Sequence, residues 1–159
     1  MKHYNEALPL FRQLQESHGE ARTLSGLASS YMVLRALQKA VECLDRLLPI
    51  VHASKDRQWE GTVLSDTGVA YLEMGNQKKA FEYFNQRLAY EREQKSEVGE
   101  ADALRTVGSA YERTGDKNKA VEFYRKSLTI HLRMSETMES ESLNREIAEL
   151  KEAIRKLQP

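Results

Sequence analysis

His3, His18, His52, His131 and Cys43 are the side chains in this sequence best suited to ligate a metal or attack an electrophile. A metal-binding helix presents two ligands four residues apart on one face, and no two of these five residues stand at that spacing. The spacing therefore predicts no metal centre. Cys43 lies between Val41 and Leu44 on an apolar helical stretch, which suits a buried structural thiol better than a nucleophile that must ionise. A phosphate-cradling loop needs glycines followed by Lys-Ser/Thr, and Gly68 and Gly75 lack that sequel. Carboxylates are abundant but spread over solvated helix faces, with no pocket to bring two together as an acid and a base. The expectation is a protein with no catalytic residues and no cofactor, and hence not an enzyme.

The bulk composition agrees with a binding or structural role. The 159 residues carry 24 Lys+Arg and 24 Asp+Glu, a formal net charge of zero, so neither nucleic acid nor an anionic membrane has an electrostatic claim on the surface. No apolar run approaches the roughly 18–20 residues of a membrane span, and the start Lys2-His3-Tyr4-Asn5-Glu6 lacks a signal-peptide core. A lone cysteine suits a reducing compartment. A cytoplasmic protein is expected.

The elements that position these residues repeat. A period of 40 residues runs without a gap through copies beginning at Ala21, Gly61 and Ala101. Tyr31, Tyr71 and Tyr111 fall in register, as do Leu24, Leu64 and Leu104, and the small residues Ala28, Gly68 and Gly108. Ala40, Ala80 and Ala120 follow, then Leu44, Phe84 and Tyr124, then Leu48, Leu88 and Leu128. In each first half, positions 4, 7, 8 and 11 share one helix face, as Leu64, Thr67, Gly68 and Tyr71 do. Turns at Met74-Gly75-Asn76 and Thr114-Gly115-Asp116 supply a left-handed glycine and then a helix cap. A second amphipathic helix follows, apolar at 81, 84 and 88, with Ala80 at the crossing point.

The run Leu104-x-x-Val107-Gly108-x-x-Tyr111-x-x-x-Gly115-x-x-x-x-Ala120-x-x-x-Tyr124 resembles the tetratricopeptide repeat pattern. The resemblance covers essentially the whole chain. Units of 40 rather than 34 residues look like those of kinesin light chains, spindle-orientation adaptors and some axonemal proteins. It implies an all-α fold, a right-handed α–α superhelix of stacked helix–turn–helix units with a C-terminal capping helix. Residues 1–159 then form one domain: a half repeat at 1–20 (a second helix without its first), repeats at 21–60, 61–100 and 101–140, and a cap at 141–159. An opening halfway through a repeat suggests a piece of a longer array. In the cap, Leu143, Ile147, Leu150, Ile154 and Leu157 form one apolar seam, which a coiled-coil dimer could also use. A capped monomer is favoured over that dimer. Two irregularities mark the first copy: Arg35 replaces the turn glycine, giving a different turn or strain of about 1 kcal/mol, and Pro49 should kink or end its helix. Trp59, at a repeat junction, is expected to pack rather than to recognise a ligand.

Positions 2, 5, 9 and 12 of each first helix form a second stripe, which lines the concave groove in related tetratricopeptide proteins. Here it comprises Arg22, Ser25, Ser29 and Met32; Thr62, Ser65, Val69 and Leu72; and Asp102, Arg105, Ser109 and Glu112. Small hydroxyl residues leave room for a peptide backbone, Met32, Val69 and Leu72 offer an apolar floor, and Arg22 and Arg105 offer anchors for carboxylates. The resemblance therefore implies a protein or peptide ligand held in that groove. It argues against the acidic tails of cytosolic chaperones, whose clamp uses Lys and Asn where this chain has Ser25, Ser29, Asp66, Asp102 and Thr106. The asparagine ladder common in kinesin-light-chain-like repeats is replaced by Gly26, Asp66 and Thr106. Two other readings stay open: a structural segment of a cytoskeletal, axonemal or motor-adaptor assembly working through its convex faces and ends, and a regulatory array attached to an enzyme.

Overall fold

The computed structural model describes residues 2–138 and 140–158; Met1 and Pro159, the limits of the expected domain, lie outside the described residues. Among the described residues eight α-helices follow one another: α1 (Lys2–Gln13), α2 (Ser17–Val33), α3 (Leu37–Ser54), α4 (Arg57–Glu73), α5 (Gln77–Glu93), α6 (Glu97–Arg113), α7 (Lys117–Ser135) and α8 (Glu141–Leu157). The all-α, helix–turn–helix expectation is borne out. The first helices begin at Ser17, Arg57 and Glu97, four residues ahead of the copies marked at Ala21, Gly61 and Ala101, so residues 17–20 belong to α2 and not to a leading half repeat. For α4 and α6 the physical reason is the capping: Asp56 accepts a hydrogen bond from the Trp59 amide at 3.0 Å, and Ser96 from the Gly99 amide at 3.1 Å.

The turns repeat twice as often as the copies do. Gln15, Arg35, Lys55, Gly75, Lys95 and Gly115 all have positive φ, between 54° and 88°. Amides just beyond them bond back five residues, as Ala36 to the Tyr31 carbonyl and Asn76 to the Tyr71 carbonyl, each at 2.9 Å. Arg35 therefore keeps the shape of the glycine turns and carries the strain. It also lacks the caps of its counterparts: Asn76 and Asp116 accept from Lys79 and Lys119 amides at 3.2 and 3.1 Å, whereas Ala36 has no side-chain acceptor to offer. Relieving one such turn is a direct test. Lys95→Gly should raise stability by about 0.5–1 kcal/mol, or roughly 2 °C in Tm, in a thermal melt. An unchanged or lowered Tm would reject the strain.

Of the two outcomes expected at Pro49, a kink or an end to its helix, the helix does not end there. α3 continues to Ser54, with the proline on its exposed side and Val51 wholly buried beyond it. Burial of Val51 outweighs the one amide hydrogen bond that proline cannot make.

The chain divides within α5 into two compact units, Met1–Tyr83 and Phe84–Pro159. In the first, Leu24, Leu27 and Ala28 of α2 pack with Val41, Leu44, Leu47 and Val51 of α3 and with Val63 and Ala70 of α4. α1 reaches α2 through Tyr4 and Phe11, whose rings occupy the space a side chain at Gly26 and Gly19 would need. Trp59 joins this core, its ring 6.1 Å edge-on from His18, in the packing role expected of it. In the second unit Leu88, Ala103 and Leu104 form one cluster with Phe123 and Ile130. Leu150 and Ile154 of α8 pack on Ala120 and Tyr124 of α7, and Leu143 and Ile147 are buried too. The seam of the last helix is thus spent inside the chain, as a cap requires. No helix among the described residues is long and apolar enough to cross a membrane.

Candidate functional site

The first helices bury positions 4, 7 and 8 and leave the tyrosine at position 11 partly exposed. Leu24, Leu27, Ala28, Leu64, Thr67, Gly68, Leu104, Val107 and Gly108 are all buried. This orientation turns the second stripe outward. Of its twelve residues eleven remain exposed or half-buried, and Leu72 is buried at 9% exposure. Leu72 therefore serves the interior of its own unit, and the apolar part of the stripe reduces to Met32 and Val69, both half-buried. The reason is a wide apolar face, which extends past position 11 to take in a large leucine at position 12.

The charged members differ in how free they are. Arg22 is exposed and has no side-chain partner among the described residues. Arg105 lies 3.4 Å from the Asp102 carboxylate with 45% of its side chain exposed, so its charge is shared but accessible. Glu112 accepts the Tyr124 hydroxyl at 2.7 Å and so braces α7 against α6. Burial, together with that carboxylate, pushes the Tyr124 phenol well above its ordinary range, and the hydroxyl stays a donor. Of the three ladder positions, Gly26 is covered by Tyr4, and Thr106 accepts from Arg87 at 3.3 Å while donating to the Asp102 carbonyl at 2.9 Å.

Two features escaped the sequence reading. Lys39, Lys79 and Lys119, also 40 apart, each hold their ammonium over the in-register tyrosine eight residues earlier, at 5.7, 4.8 and 5.0 Å from the ring centre. That column was visible in the repeat, because each lysine follows its turn at a constant offset. The second was not visible: polar and charged groups occupy buried places of α5 and α7. Arg87 and Glu91 lie 3.7 Å apart with side chains 14% and 10% exposed. On α7 the corresponding Ser127 donates to the Ala101 carbonyl at 2.8 Å, and His131 is buried at 3% exposure.

His131 bears on metal binding. Its Nδ1 meets the Ser127 carbonyl at 2.9 Å and its Nε2 meets Glu146 Oε2 at 2.7 Å. Together with Asp102 these residues place one possible ligand atom each within 4.8 Å of one another. They come from α7, α8 and α6, so no spacing along the sequence could announce them. Cys43 is free and buried, and its thiol is pushed up first by burial and then by the Glu42 carboxylate. It is the inert structural thiol expected.

Residues 19–93 match a Tetratricopeptide repeat family model, and residues 101–130 match a second model of the same description. Among solved structures, BtubC (BKLC) from P. vanneervenii superposes on 98% of this chain and 65% of its own, with a TM-score of 0.70 and 16% identity. A Podosopora anserina putative kinesin light chain with nearly identical TPR-like repeats, in a variant form, covers 97% of this chain and 79% of its own, with a TM-score of 0.68 and 19% identity. A signal transduction ATPase with a tetratricopeptide repeat sensor from Pyrococcus horikoshii covers 95% of this chain, which spans 29% of that protein, with a TM-score of 0.60 and 18% identity. The chain thus spans less than two thirds of the first and the last of these. At such identities the likeness is one of fold. None of the curated proteins compared matches the chain.

Proposed function

Because the chain belongs to the tetratricopeptide repeat family, we propose that it is a non-catalytic protein-binding module that holds a peptide or helix of another protein against the outward stripe of its first helices. The observation that carries this reading is the exposure of eleven of the twelve stripe residues on helices whose opposite face is buried. On α2 the stripe offers Arg22, Ser25, Ser29 and Met32; on α4, Thr62, Ser65 and Val69; on α6, Asp102, Arg105, Ser109 and Glu112. Serines and threonines let a backbone approach closely, and the two arginines select a ligand bearing carboxylates. Glu112 acts mainly by holding Tyr124. Use of the α8 seam within its own unit supports a monomer, and the balanced charge supports a partner that is neither nucleic acid nor membrane. A cytoplasmic setting with a cytoskeletal link accords with the fold shared with a putative kinesin light chain.

A test is co-purification from native extract with wild type and an Arg22→Glu/Arg105→Glu variant. Both positions are exposed, so the variant should keep its helical circular dichroism and melt within about 0.5 kcal/mol of wild type. A partner bound by wild type should be weakened by about tenfold or more in the variant, the scale of one lost charge-assisted contact. Equal retention by both proteins would reject the stripe as the binding face. One observation favours the second reading, a structural segment working through its ends: Leu10, Leu14, Val33 and Leu34 are 57%, 74%, 82% and 62% exposed near the α1–α2 and α2–α3 turns. Under that reading, polar replacement of Leu14 and Val33 would remove partners that the arginine variant keeps.

A further inference from the structure

We propose that Asp102, His131 and Glu146 form a site for one divalent first-row transition cation, zinc being the best fit, which ties α6, α7 and α8 together within the second unit. The hydrogen-bond geometry leads to it. His131 Nδ1 lies 2.9 Å from the Ser127 carbonyl, which can only accept, so Nδ1 carries the hydrogen. With that tautomer the lone pair of Nε2 points out of the ring at Glu146 Oε2, 2.7 Å away. Two acceptors at that distance need a proton or a metal cation between them.

The third group decides between the two. A proton on Nε2 is satisfied by Glu146 alone. Asp102 nevertheless brings a second carboxylate from a separate helix, its oxygen within 4.8 Å of both other ligand atoms. With Arg105 turned away from Asp102, a divalent cation and a neutral imidazole balance the two carboxylates to zero, whereas an imidazolium alone leaves one negative charge over. Asp102 pairs with the Arg105 guanidinium at 3.4 Å, a group 45% exposed and able to swing away.

The surroundings also match what a metal-binding histidine requires. A ligating imidazole is oriented by a hydrogen bond from its other nitrogen to a carbonyl or carboxylate. Here that bond goes to Ser127, whose hydroxyl is itself fastened to the Ala101 carbonyl at 2.8 Å, next to Asp102. The ring is 4% exposed in its side chain and cannot rotate freely, while Glu146 at 37% remains open to the entry of an ion and of water. Ligands about 2.0–2.2 Å from zinc stand roughly 3.3 Å apart in a tetrahedron, so Glu146 must withdraw by about 0.6 Å and Asp102 approach. Both are terminal carboxylates able to do so. Water would complete the shell, as it does where the protein supplies three ligands.

The test is zinc titration of untagged, chelator-treated protein by isothermal calorimetry, with a thermal melt of the same samples. Wild type should bind one zinc per chain and melt higher as zinc is added. Glu146→Gln removes the carboxylate yet lets the Gln amide donate to His131 Nε2, so it should fold normally and bind zinc at least about tenfold more weakly. Asp102→Asn should weaken binding likewise. Absence of zinc binding by wild type would overturn the proposal and leave a proton as the bridging species. Binding undiminished in Glu146→Gln would overturn it as well, since the metal would then lie elsewhere. Because partner capture is not the readout, the result is independent of the fate of the stripe proposal.

Discussion

Arg87→Leu alone is expected to destabilise the protein by about 3 kcal/mol, whereas Arg87→Leu with Glu91→Val should cost almost nothing or raise stability by about 1 kcal/mol or more. The 40-residue register maps Arg87 onto Leu47 and Glu91 onto Val51, both buried apolar residues of α3. In α5 the same two places hold an ion pair 3.7 Å apart, with side chains 14% and 10% exposed. Removing one partner strands the other charge in a poorly solvated place; removing both restores the solution that the first copy already uses. Urea denaturation of wild type, both single variants and the double variant measures the coupling. Single-variant costs that simply add in the double would refute the argument.

The same pair predicts a pH dependence. Burial, opposed by the Arg87 charge, leaves the Glu91 carboxyl above its ordinary value. A carboxyl raised by folding contributes its stability below the unfolded-state value and loses it as pH rises through the folded one. The advantage of the double variant over wild type should accordingly grow between acid and neutral pH. A constant difference would mean that folding leaves the Glu91 carboxyl unshifted, and a shrinking one that it is better ionised in the fold than in the unfolded chain; either would overturn the prediction.

Gly108→Ala is expected to cost about 2 kcal/mol, an overpacking effect well beyond the usual influence of alanine in a helix, which is favourable. A Cβ at Gly108 would lie 2.6 Å from Cδ1 of Tyr124, inside van der Waals contact. The ring cannot withdraw easily, because it is 5% exposed and its hydroxyl is held by Glu112 at 2.7 Å. The register again suggests the remedy. The first copy has Ala28 and Leu44 at these two places, both buried. Gly108→Ala/Tyr124→Leu should therefore be more stable than Gly108→Ala by about 1 kcal/mol, despite the loss of a large ring. Thermal melts decide it. An alanine variant as stable as wild type would show that the ring has room to move.

The repeat made most of the architecture readable. In-register Leu24, Leu64 and Leu104, with Tyr31, Tyr71 and Tyr111, define helix faces because 3.6 residues per turn leaves few other ways to bury them. The turn at Arg35 was legible as a choice between two shapes, and backbone hydrogen bonding selected the left-handed one. The repeat register marks copies from Ala21, Gly61 and Ala101, while α2, α4 and α6 begin four residues earlier, and Asp56 and Ser96 cap the last two. At Pro49 local propensity left a kink or an early end open, and the burial of Val51 beyond it, which carries the helix on to Ser54, could not be read from the sequence. For the stripe, spacing gave the residues that share a face. Burial of Leu72 could not be inferred, since positions 11 and 12 sit on the border between two faces.

By itself the sequence determined an all-α chain of paired helices, the tetratricopeptide resemblance, the capping role of the last helix and the inertness of Cys43. All of these follow from periodicity or composition, which are properties of residues near one another along the chain. Only the tertiary structure decided that His131 would meet Glu146 and Asp102, that Tyr4 would cover Gly26, and that Tyr124 would lean on Gly108 and Glu112. Those contacts join different helices, and their geometry depends on how the helices pack.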